Sequence, residues 1–84
     1  MVRKWELSGI VQSSSYRTRI LESLKDAKTP SRLEQELNIK ISHVSRTLKE
    51  LTSLKLIKCH SPSLRKGKFY QITKLGEEVQ KNMK

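Results

Sequence analysis

One cysteine, Cys59, stands in the 84 residues. A lone thiol can form neither an intramolecular disulfide nor a cysteine-rich zinc site, and it fits a chain kept in a reducing compartment. Its simplest role is that of a small buried hydrophobe. The two histidines, His43 and His60, are distant in sequence. Neither has a neighbouring Cys or Asp arranged as a nucleophile or metal set, because Cys59 and His60 are adjacent in a strand-like stretch and so point to opposite faces. The three glycines do not form a phosphate-cradling loop. No enzyme activity, cofactor or metal is therefore expected, and the sequence identifies no small-molecule effector. No apolar run approaches the roughly 18 residues that a bilayer span needs. The opening Met1-Val-Arg-Lys-Trp-Glu6 is too polar for the core of a signal peptide. These shortages predict a soluble, cytoplasmic protein.

Acidic residues are scarce as well: 8 stand against 18 Lys and Arg, a formal net charge of +10. So large an excess points to a polyanionic partner, nucleic acid or an anionic membrane surface, with simple solubility as the alternative. The length fits a single domain over residues 1–84, with a small core. No internal repeat, low-complexity tract or linker divides it.

What is present is organised around Leu33 to Leu51. Leu33 and Leu37 lie four apart on one face of a short helix. Ile41, Val44, Leu48 and Leu51 then recur at intervals of three, four and three, the stripe that a 3.6-residue period buries. Between the two runs stands Asn38, which tolerates the left-handed backbone of a sharp turn. Opposite the stripe lie Ser42, Arg46, Lys49 and Ser53, with His43 and Glu50 at the border. A helix with that division suits a DNA major groove, and equally an ordinary solvated surface. Ile41 sits at the edge of the stripe and is expected to pack rather than to meet a thymine methyl.

The flanking segments complete the pattern. Leu7, Ile10 and Val11 predict a short helix over residues 5–11 with Trp5 packing alongside, and Ser13-Ser14-Ser15 interrupts it. Tyr16, Ile20, Leu21, Leu24 and Ala27 predict a second helix of about a dozen residues. Arg17 and Arg19 near its start are candidates for phosphate contact or for solvated and salt-bridged roles. Thr29-Pro30 is a helix start, with Thr as the cap and Pro in the first turn. After Leu56 the period changes from 3.6 to 2: Ile57 and Cys59 alternate with Lys58 and His60. A basic loop, residues 62–68, leads to a second strand over residues 69–73. Thr73 then caps a last helix carrying Leu75, Val79 and Met83.

This order resembles the winged helix-turn-helix regulators, especially the small ArsR/MarR-like ones, including archaeal members. The resemblance covers nearly the whole chain from Tyr16. It rests on Ile39 followed by Val44-Ser-Arg, Leu48 and Leu51 through Leu56-Ile57, and on Gly67-Lys with Tyr70, Ile72-Thr73 and Gly76. It implies an α+β fold, a three-helix core with a two-stranded β-hairpin wing and a C-terminal helix. It also implies a recognition helix over 41–54 and a wing over 62–68. Asn38 stands where the family often has Gly, and Lys40-Ile41 where it often has Ser, so Ser42 becomes a candidate helix cap. The paired cysteines of an arsenic sensor are absent.

The implied function is double-stranded DNA binding by a transcription regulator. The candidate contacts are Ser42, His43, Ser45, Arg46 and Lys49 on the recognition helix, Arg32 on the supporting helix, and Arg65, Lys66 and Lys68 on the wing. Arg46 is central, since its planar fork can pair with guanine or clamp a phosphate. The amides at the helix start would favour a phosphate. Two alternatives stay open: a protein-interaction module on the same fold, and a nonspecific basic nucleic-acid-associated protein. A homodimer is expected, with the apolar stripes of the two terminal helices packing across a two-fold axis; the alternative is that both fold back onto the monomer's own core.

Overall fold

Ser14, Thr29 and Thr73 each hold extended backbone and begin a helix, because their hydroxyls accept an amide three residues on. The bonds are Arg17 N to Ser14 Oγ at 3.4 Å, Arg32 N to Thr29 Oγ1 at 3.2 Å and Gly76 N to Thr73 Oγ1 at 3.0 Å. A cap of this kind typically stabilises by about 1 kcal/mol. The structure, a computed structural model, describes residues 3–60 and 68–82. Over them the chain forms α1 (Lys4–Gln12), α2 (Ser15–Ser23), α3 (Pro30–Leu37), α4 (Ile41–Ser53), β1 (Ile57–Cys59), β2 (Tyr70–Ile72) and α5 (Lys74–Lys81). Pro30 opens α3, and Asn38 turns the chain into α4 through φ 54° and ψ 47°, as their chemistry requires.

α4 ends differently from any signal in the sequence. Lys55 takes φ 63°, a left-handed conformation that usually falls to Gly. Leu56 N–H then bonds back to Leu51 O at 3.0 Å and Lys55 N–H to Thr52 O at 2.9 Å. This closure turns Leu56 into the core and starts β1, which pairs antiparallel with β2 in the register Ile57–Ile72, Lys58–Gln71, Cys59–Tyr70.

One apolar centre serves all these elements. Leu7 and Val11 of α1, Ile20 and Leu21 of α2, Leu33 of α3, Val44, Leu48 and Leu51 of α4, Ile57 and Ile72 of the hairpin and Val79 of α5 are all buried in it. α1 lies against α5, where Ser8 Oγ also donates to Val79 O at 3.3 Å. At Gly76, α5 passes so close to the hairpin that an added Cβ would lie 2.2 Å from Leu56 O and 2.6 Å from Ile72 Cγ1.

Three expectations need correction. α2 spans nine residues, not a dozen, and Ala27 is exposed beyond its end. The backbone after Leu24 is drawn away to pair with β2: Ile72 N–H bonds Leu24 O at 2.9 Å, and Lys28 and Tyr70 exchange bonds of 3.0 and 2.8 Å. Trp5 does not pack alongside α1 but stands 65% exposed. α1 buries only the Leu7–Val11 side, because α2 and α5 are its neighbours. The second strand is also shorter than residues 69–73. Of the apolar residues invoked for a dimer, Leu7, Val11 and Val79 are covered within the single chain, while Trp5 and Ile10 remain exposed. Met83 lies outside the described residues.

Candidate nucleic-acid interface

α4 is held on two sides and open on a third. Its apolar stripe, together with the unexpected Thr47 (4% exposed), faces the core. One flank is fastened to α2. Arg17 donates to Glu50 Oε2 at 2.6 Å, and its guanidinium also bonds Ile10 O and Ser13 Oγ, each at 3.0 Å. The Tyr16 and His43 rings stack beside this pair, with centroids 5.1 Å apart and planes inclined by 35°. Arg17, a phosphate candidate in the sequence, is thus committed to joining α1, α2 and α4. Arg19 is likewise engaged, donating to Leu37 O at 2.6 Å at the end of α3.

The start of α4 is fastened too. Ser42 does not cap it. Lys40 occupies the cap position without a side-chain bond, and Glu34 reaches across from α3 to accept Ile41 N–H at 3.1 Å. A carboxylate favours the positive end of a helix, and here it takes the place expected for a phosphate on those amides. Three of the eight acidic residues are engaged around this unit, because Glu36 also bonds Lys28 at 2.9 Å and Arg32 at 3.5 Å. The Lys28 ammonium, hydrogen-bonded to Glu36, holds that carboxyl below its usual value against the opposing effect of desolvation.

What remains open on α4 is Ile41, Ser42, Ser45, Arg46, Lys49, Thr52 and Ser53, all exposed. The face carries two cations and no acid. Arg46 takes no part in the ion pairs found among the described residues.

This arrangement has a close counterpart among solved structures. The chain is similar to a crystallised MarR family transcription regulator, with a TM-score of 0.74 and 25% identity over 93% of this chain. The fold is a winged helix-turn-helix. The chain spans 54% of the length of that regulator, so the match concerns about half of it. No family model matches the sequence, and no curated protein matches it.

Within the winged helix, α3, the Asn38 turn and α4 are the helix-turn-helix, and β1 and β2 are the base of the wing. Between α4 and that base lies an open cleft of about 620 Å³, lined by Ser45, Lys49, Thr52, Ser53, Cys59, Lys68 and Tyr70. Lys49 of α4 and Lys68, two residues before β2, both line it. Burial raises the Tyr70 phenol above its ordinary pKa, and Cys59 adds to the effect, so the hydroxyl stays neutral. The cleft brings together Ser45, Lys49 and Lys68 from the sequence candidates and adds Thr52, Ser53, Cys59 and Tyr70. Thr52 and Ser53 come from the last turn of α4, while Cys59 and Tyr70 are brought there as partners in the β1–β2 register.

The remaining candidates are distributed around α4. His43 is half-buried on the α2 flank, and Ser42 and Arg46 occupy the outer face. Arg32, with its side chain 67% exposed, projects from α3 beside Glu36. Arg65 and Lys66 lie outside the described residues. Ile41 is the clear departure from expectation: it is 42% exposed rather than packed. It begins the helix, and helical side chains lean toward the N-terminus, which carries this one beyond the packed stripe. Among the described residues no group of three or more His, Cys, Asp or Glu could hold a metal ion, and no helix is long and apolar enough to cross a membrane.

Proposed function

We propose that this winged helix is a transcription regulator that binds double-stranded DNA, laying α4 in a major groove and the wing beside the neighbouring backbone. The observation that carries the reading is the outer face of α4. Its acidic neighbours Glu34 and Glu50 are bonded internally, and the side left open offers Ser42, Ser45, Arg46, Lys49 and Ser53. Arg46 supplies a planar fork suited to guanine O6 and N7. Lys49 and Lys68 line a cleft suited to the sugar-phosphate strand that runs between the two grooves, and phosphate contacts of this kind fix register. Arg32 on α3 and the wing residues Arg65 and Lys66 are proposed as further phosphate contacts, and Ser42, Ser45 and His43 as short hydrogen-bonding groups. The net charge of +10 makes the approach to a polyanion favourable. Such a regulator acts in the cytoplasm, on the nucleoid if its cell is prokaryotic.

The cleft provides a direct test, because Cys59 is the chain's only cysteine and is half-buried against it. Alkylation of Cys59 by iodoacetamide, followed by mass spectrometry, is expected to slow in proportion to the fraction of protein bound to a duplex. An unchanged rate on a saturated complex would place the DNA elsewhere on the molecule.

A further inference from the structure

We infer that Ile41 is a specificity residue, reading the 5-methyl group of a thymine in the major groove; this rests on the DNA-binding reading above. A single exposed isoleucine needs no special explanation on most of a protein surface. This one begins the helix whose outer face is otherwise Ser42, Ser45, Arg46, Lys49, Thr52 and Ser53, and it remains 42% exposed there.

The surroundings restrict what it can meet. Glu34 accepts the Ile41 amide at 3.1 Å and sets a carboxylate against the start of α4. Its charge repels a backbone phosphate, which would otherwise be the natural occupant of a helix N-terminus. With phosphate kept away, the start of α4 is left facing base edges. Among the four base pairs, the major groove presents one apolar group, the thymine methyl. An aliphatic side chain there gains by covering that methyl and loses nothing by failing to hydrogen-bond. Ser45, one turn along on the same side of α4, leaves room for the base to approach because its side chain is small.

The test uses a duplex recovered by selection from a random library, resynthesised with each thymine replaced in turn by deoxyuridine. Each substitution removes one methyl group and nothing else. For the unaltered protein, one thymine, or its symmetry-related pair, is expected to show a loss of roughly threefold to fivefold, the value of one buried methyl-sized group. Ile41→Ala should bind the thymine duplex as weakly as the unaltered protein binds the uracil one, and should show no difference between the two duplexes. Its melting temperature should be unchanged, because the side chain contributes little to the core. Uracil substitutions that are neutral at every position overturn the inference, as does a sensitive position that stays sensitive in Ile41→Ala. Both leave the DNA-binding reading standing. Failure to bind any duplex overturns that reading and this inference together.

Discussion

Gly76→Ala is expected to lower the melting temperature by roughly 10–20 °C, although alanine is ordinarily the better helix former. The new Cβ would meet Leu56 O at 2.2 Å and Ile72 Cγ1 at 2.6 Å. The carbonyl has no freedom to retreat, because it also accepts Thr73 N–H at 2.9 Å, the bond that sets the start of α5. Ile72 is held in the register opposite Ile57. α5 must therefore move off the hairpin, at an overpacking cost of about 2–3 kcal/mol. Gly9→Ala supplies the contrast. It lies within α1 with nothing within 4 Å of the added Cβ, and should stabilise by roughly 0.5–1 kcal/mol. Thermal unfolding followed by circular dichroism measures both. Equal effects of the two substitutions would mean that α5 does not press on the hairpin as described.

The second large effect concerns binding. Arg46→Ala should weaken association with a selected duplex by about 1–3 kcal/mol, roughly fivefold to 150-fold, while leaving the melting temperature unchanged. Arg46 is exposed and outside the ion pairs found among the described residues, so its removal takes little from the fold. Base preference should relax at one position of the site when selection is repeated with the variant. A phosphate-contacting lysine behaves differently: its loss weakens all duplexes alike. If Arg46→Ala changes neither affinity nor preference, the outer face of α4 is not the face that meets bases.

These two residues differ in how legible their roles are. Arg46 follows from periodicity, because the stripe of Val44, Leu48 and Leu51 fixes the opposite side of the helix. Thr29-Pro30, Asn38 and Thr73 are legible for a similar reason: each does in the fold what its side chain does locally. The role of Gly76 appears only in the close approach of α5 to β2. Other features depend on partners far along the chain. The Arg17–Glu50 pair joins residues 33 apart, and the Glu34 bond to Ile41 crosses the turn. The early end of α2 is set by bonds from Leu24 and Lys28 to β2, 42 or more residues later. Lys55 adopts a left-handed backbone that its residue type does not announce. The angle of Ile41 alone puts it at the stripe edge, and periodicity does not register that the first residue of a helix extends past its packing.

The proposed grip of α4 and the basic loop of residues 62–68 on the phosphates of duplex DNA is necessarily salt-dependent. It is tested most directly by measuring affinity for one duplex across a series of salt concentrations. Five to eight neutralised phosphates predict that the logarithm of the association constant falls against the logarithm of salt concentration with a slope of roughly −4 to −7. A slope near zero, or no binding even at low salt, would contradict DNA binding and leave the winged helix to be explained as a protein-binding module.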